Sequence, residues 1–333
     1  MTWLTWRQFR AQTVVTSAAL AVLAIVLLIT GLRLSHTFDT TVIGCRARGD
    51  CTGAINALQS QDTAVQDLAR LLMYVVPAVI GVFWGAPLLA RELETGTYRL
   101  AWTQGVTRAR WFAVKLILTG LASVVTAGLL SLMVTWWFSP LERVGAGRIT
   151  PGEFSQSGIV VIGYAAFAFA LGVAAGLLIR RTLPAMAITL AIFVGVQLAV
   201  PFLIRPHLFA PVRVVSALKM ANVQSVGTGP GGAGGDGLFV GAVTNVPGAW
   251  IYSEQVTTAS GSRDLGRPPA QCGPNSGYNA CQAAIARMHL REVVLYQPAS
   301  RYWAIQWYET AMYLAAALVL AGFCWWWVRR RVT

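Results

Sequence analysis

Charge is scarce in this chain. Only 12% of its 333 residues are charged, against about 25% in soluble globular domains. Losing half the usual solvating groups excludes an ordinary water-soluble enzyme. A 56% apolar content excludes intrinsic disorder, which needs low hydrophobicity and high charge. Lysine occurs twice, at Lys115 and Lys219. Neither follows a glycine-rich turn, so there is no G-x-x-x-x-G-K-[ST] phosphate loop and no route to ATP through one. The patterns H-E-x-x-H, G-x-S-x-G and C-x-x-C are missing as well. The three histidines, His36, His207 and His289, are scattered. No catalytic residue, metal site or cofactor is expected in this chain.

What is abundant is long apolar sequence. A helix needs about 20 mostly apolar residues to cross a bilayer. Six windows qualify without a single charge: Thr13–Leu32, Leu71–Ala90, Leu116–Phe138, Gly158–Ile179, Thr182–Ile204 and Thr310–Val328. Their charge-free interiors argue against a proton-coupled pump, which carries ionisable groups inside the membrane. The net charge of +13 fits either a nucleic-acid partner or basic membrane edges, and its placement decides. Met1–Gln12, Arg91–Lys115, Arg180–Arg181 and Arg329–Thr333 together hold 12 basic residues and two acids, Glu92 and Glu94. The alternate segments, 33–70, 139–157 and 205–309, hold 14 basic and 11 acidic residues over more than three times the length. By the positive-inside rule the first set is cytoplasmic, so both termini face inward and nucleic acid drops out.

Cysteine placement agrees with this orientation. Cys45 and Cys51 fall in the first outer loop, Cys272 and Cys281 in the last, and Cys324 inside the sixth window. Local bridges Cys45–Cys51 and Cys272–Cys281 are the expected pairing in an oxidising compartment, although four cysteines allow three pairings and free thiols remain an alternative. The expected fold is therefore an all-α polytopic membrane protein with a small mixed extracytoplasmic domain between helices 5 and 6. Residues 1–12 read as an interfacial helix with Trp3, Trp6 and Phe9 on one edge, or equally as an extension of the first span. Residues 13–204 carry helices 1–5, with a cytoplasmic segment 91–115 and outer loops 33–70 and 139–157. Residues 205–309 form the outer domain, and 310–333 the sixth helix and tail. Within the outer domain Gly227–Gly237 reads as a mobile tip. Leu238–Thr244 and Ala249–Val256 read as strands, and Asn279–Leu290 as a helix.

The 91–115 segment is the largest inner feature. It reads Arg91-Glu92-Leu93-Glu94-Thr95-Gly96-Thr97-Tyr98-Arg99-Leu100, then Ala101–Arg110, Trp111 and Lys115. Acids just past a helix C-terminus do not help that helix, so Glu92 and Glu94 call for another purpose. A short helix from Thr97 to Gln104, bounded by Gly96 and Gly105, would display Arg99, Leu100 and Trp102 to a soluble partner. A plain basic loop lying at lipid headgroups is the alternative.

With Glu92, Glu94, Gly96, Thr97 and Lys115 matching in order and spacing, the chain resembles the six-helix permeases of ABC exporters, the ABC type 2 family. Its opening Trp3-Leu4-Thr5-Trp6-Arg7-Gln8-Phe9-Arg10, its closing Tyr296-Gln297-Pro298-Ala299-Ser300-Arg301 and its Trp325–Arg331 tail are similar to actinobacterial members. The resemblance implies a dimer of permeases, homo- or heteromeric, in a bacterial cell membrane. Each copy would dock on an ATPase subunit that binds ATP and magnesium, through Glu92, Glu94, Gly96, Thr97, Arg99, Trp102 and Lys115. The substrate would be amphipathic or lipid-like, such as a drug, antibiotic or peptide. Phe83, Trp84, Phe193 and Gln197 are candidates for its path, although aromatic residues here also serve helix packing and Gln197 also suits a helix–helix hydrogen bond. A membrane receptor or scaffold, sensing a ligand through the outer domain and signalling through 91–115, is the competing reading.

Overall fold

The computed structural model describes residues 2–46, 51–96, 107–144, 148–229, 237–244, 246, 248–272 and 277–331. The chain forms two compact units, Met1–Leu208 with Tyr302–Thr333, and Phe209–Arg301. The boundary lies inside the 205–309 interval, so Arg205 and Glu309 belong to the helical unit.

Among the described residues, six helices of the first unit are long and apolar enough to cross a membrane. The first span comes from α1 (Thr2–Thr37) and a π-helical turn, Phe38–Ile43. Residues 2–12 continue into it without a break. After α2 (Thr52–Ser60), the second span joins α3 (Thr63–Val79) to α4 (Ala86–Thr95) through a π-helical turn, Ile80–Gly85. The third span is α5 (Arg108–Arg143) and the fourth is α6 (Val160–Ile179). The fifth is α7 (Thr182–Ala199), extended through a π-helical turn, Val200–Ile204, into α8 (Arg205–Leu208).

The fourth span is the hub because its side chains are small. Gly172 and Gly176 let the second span press its backbone directly against it. A Cβ on Gly172 would run into the Gly81 carbonyl oxygen, and one on Gly176 into that of Ala86. Small residues permit this approach where lipid supplies no hydrophobic drive between helices. The second span's interruption follows from Pro87. Lacking an N–H, it cannot bond the Phe83 carbonyl, and Gln12 Nε2 of α1 takes that acceptor at 3.4 Å. The first and third spans are joined by Trp137 Nε1 donating to Thr30 Oγ1 at 2.9 Å.

Among the described residues the second unit contains five strands: β1 (Val212–Ala217), β2 (Val223–Gly229), β3 (Gly237–Ala242), β4 (Trp250–Thr257) and, after α9 (Tyr278–Ala286), β5 (Arg291–Gln297). They form an antiparallel sheet ordered β1-β5-β4 and a separate β2–β3 hairpin. Val223, Leu238, Val240, Val256, Ile285 and Leu290 fill its core. Residues 227–229 and 237, read from sequence as a mobile tip, are strand. β-pairing with the apolar 237–242 run outweighs the local freedom of glycine. Residues 230–236 lie outside the described residues. Both disulfides are present, Cys45–Cys51 in the first unit and Cys272–Cys281 in the second, with Cα separations of 5.6 and 4.5 Å. The sixth span is α10 (Tyr302–Arg331).

Candidate functional site

The two acids of the 91–115 segment are both engaged by other residues of the chain. Glu92 pairs with Lys115, tying the end of the second span to the start of the third. Lys115 is only 5% exposed and its ammonium sits 5.1 Å from the centre of the Trp111 ring. Glu94 accepts from the Thr182 backbone N–H at 3.0 Å and from Thr182 Oγ1 at 2.7 Å. The first N–H groups of a helix have no intrahelical partner, and negative charge is favoured there. Glu94 thus caps the fifth span from outside it. Gly96 ends α4 with a left-handed φ of +72°, a conformation that glycine adopts without steric cost. Thr107 restarts the chain as N-cap of α5, accepting from Arg110 N at 3.3 Å. Thr97, Arg99 and Trp102, with the expected 97–104 helix, lie outside the described residues.

Above this junction, Ala86, Ala90, Ala175 and Ala185 pack together and hold the second, fourth and fifth spans close. Farther along, the second and fifth spans separate into a cleft of about 550 Å³. Tyr74, Val79 and Phe83 form one wall and Phe193, Gln197 and Phe202 the other, with Pro151 and Gly152 at the rim. Three of the four path candidates, Phe83, Phe193 and Gln197, meet here. Trp84 does not line the cleft. It is one residue beyond Phe83 on a helix, which turns it into the bundle, where it is 5% exposed. Phe83 and Phe202 stand out at 52% and 66% exposure, while Phe193 is buried at 2%. Gln197 Oε1 accepts from Tyr313 OH at 3.3 Å, so the amide does make a helix–helix hydrogen bond. Its Nε2 has no partner among the described residues.

Sequence reasoning missed a polar cluster at the opposite end of the bundle from Glu92. The side chains of Arg205 and Glu309, both 0% exposed, form a two-pronged pair. Nε reaches Oε2 at 3.0 Å and Nη2 reaches Oε1 at 3.1 Å. Tyr164 OH donates to Glu309 Oε1 at 2.8 Å and lies 3.0 Å from Ser155 Oγ. The Phe154 ring centre lies 4.0 Å from the Arg205 guanidinium carbon, a cation–π contact. Next to it, Gln306 accepts from the Val160 N–H at 2.9 Å and donates to the Phe154 and Ser157 carbonyls. It thereby fastens the 154–158 segment to the start of the fourth span. Gly158 sits there at φ +95°, where a Cβ would lie 2.7 Å from Tyr302 OH. The apolar windows themselves hold no charge. The helices, however, run past them and bury the first charge beyond each of two windows.

Among the described residues, no group of three or more His, Cys, Asp or Glu could hold a metal ion. A family model described as ABC-2 membrane transporter related matches residues 17–205. No curated protein and no solved structure matches the chain.

Proposed function

Because the chain belongs to the ABC-2 membrane transporter related family, we propose that it is the membrane-spanning permease subunit of an ABC exporter. It moves an amphipathic or lipid-like molecule outward across a bacterial cell membrane. The energy comes from a separate ATPase subunit, which binds ATP and magnesium and docks on segment 91–115. A second permease copy completes the transporter. The observation that carries this reading is the apolar cleft between the second and fifth spans, whose walls suit an apolar body.

The orientation rests on the positive-inside bias of the short segments. With six spans, the two disulfides fall on the same side, which suits an oxidising exterior. The coupling acids act by transmission. Glycine contacts join the second span to the fourth, so that wall of the cleft is fixed. The fifth span is held at its start by Glu94 on Thr182. A push on segment 91–115 is therefore passed to the start of the fifth span together with the end of the second, at the foot of the cleft.

The test is co-expression with an ABC ATPase, purification, and reconstitution in proteoliposomes with a nitrobenzoxadiazole-labelled lipid analogue as probe. ATP-dependent movement of the probe is expected. Val194→Trp, which fills the cleft from an exposed position, abolishes movement while the ATPase stays bound. Glu94→Ala leaves the complex assembled but removes stimulation of ATP hydrolysis by substrate. The reading fails if no ATPase co-purifies, or if both variants transport like the wild type.

A further inference from the structure

Two acidic side chains of the 209–301 unit hold the two feet of one hairpin. Glu292 lies on the central strand β5 and is 1% exposed. Its register partner on β4 is Val256, so Glu254, two residues along β4, lies diagonally across on the same face, within reach of a long side chain. Glu254 Oε1 accepts from the Thr244 N–H at 2.5 Å and from Thr244 Oγ1 at 2.7 Å. Glu292 Oε2 accepts from Asn222 Nδ2 at 3.2 Å. Asn222 immediately precedes β2 and Thr244 follows β3. Val243 N donates to Asn222 O at 2.8 Å, closing the base between them. Glu292 Oε1 is buried and has no hydrogen-bond donor among the described residues.

A buried carboxylate beside a second carboxylate does not ionise cheaply. A proton on Glu292 would make it a donor to Glu254, the contact that Oε1 otherwise lacks. We propose that Glu254 and Glu292 form a proton-operated clamp, closed while Glu292 carries a proton that it donates to Glu254 and released when that proton leaves, freeing the base of the β2–β3 hairpin. Among the described residues, three further groups border the pair. Lys219 favours ionisation of Glu292, Arg263 lines the same hollow as Glu254, and Ser216 lies opposite Glu292 on β1.

Burial first, then the Glu254 contact, pushes Glu292 up to about 7 from its ordinary 4.5. The folded hairpin thus holds the proton more tightly than the released one. The stabilisation is complete below the ordinary value and is lost as pH rises through about 7.

The test is hydrogen exchange by mass spectrometry on the full chain in lipid nanodiscs between about pH 5.5 and 8.5, a window that brackets the Glu292 titration, corrected for intrinsic exchange. Peptides covering 223–242 should lose protection on the order of tenfold over that range, while peptides from 160–179 should not change. Glu292→Gln, which keeps a neutral donor, should flatten the profile at the low-pH level. Glu254→Gln does so from the other partner, should the first variant fold poorly. Protection independent of pH in the wild type overturns the proposal, as does a pH profile that survives in both variants. A profile erased by a divalent-cation chelator assigns the site to a metal and likewise overturns it.

Discussion

The buried Arg205–Glu309 pair allows a quantitative test of what holds the fifth and sixth spans together. Glu309→Ala removes the acceptor for two guanidinium donors and for Tyr164 OH, at a position whose side chain is fully buried. Tyr164 retains Ser155 as a partner, while Arg205 is left with the Phe154 ring. Breaking a buried pair by removing one partner costs about 3–5 kcal/mol, because the other charge stays buried without compensation. Replacing both with apolar residues of similar volume is often near neutral. At about 2 °C per kcal/mol for a large chain, Glu309→Ala should lower the apparent melting temperature by roughly 6–10 °C. Arg205→Met combined with Glu309→Leu should recover most of that loss. The assay is fluorescence-detected size exclusion after heating in detergent, at one fixed heating rate, since unfolding of such proteins is governed by rate. A single variant within about 2 °C of wild type, or a double variant no better than the worse single one, refutes the reasoning.

Gly172→Leu places a side chain against the Gly81 carbonyl and the Ala86 amide. It should cost at least about 1–3 kcal/mol of overpacking, seen as a lower melting temperature and a smaller monodisperse peak. Glu92→Gln leaves the Lys115 ammonium without its charge partner and should cost about 1–3 kcal/mol. Lys115→Met added to it should restore thermal stability, which the same heating assay reads. Gly158→Ala forces a left-handed backbone and meets Tyr302 OH and the Gln306 side chain. A loss of about 1–3 kcal/mol is expected, with greater protease sensitivity in 148–158.

Six spans, two local disulfides and a mixed insertion between the fifth and sixth helices were legible in the order of residues. Each depends on a one-dimensional property: runs of apolar residues long enough for a bilayer, cysteines close in sequence, and a long segment of mixed polarity. The Glu92, Glu94 and Lys115 positions stood out for the same reason, as acids and a lysine where charge is rare. Their partners were not legible. That Glu94 caps Thr182 depends on which helix ends lie side by side. Composition shows the fourth span as an apolar helix rich in Gly and Ala, and no more than that. Only packing shows it as the hub, because its glycines matter through the backbone that meets them. Arg205 and Glu309 read as the edges of a polar segment and lie fully buried against each other.

Strand β5 carries a strand-prone run, Val293-Val294-Leu295-Tyr296, but nothing local gives its central place in the sheet. That place is set by β1 and β4, which pair with it on either side and put Val212 opposite Tyr296 and Trp250 opposite Gln297. Strand preference depends on such neighbours more than on local sequence. Local sequence determined the spans, while the pairing of distant charges, glycines and strands was decided only by the tertiary structure, because those contacts exist only once the chain has closed on itself.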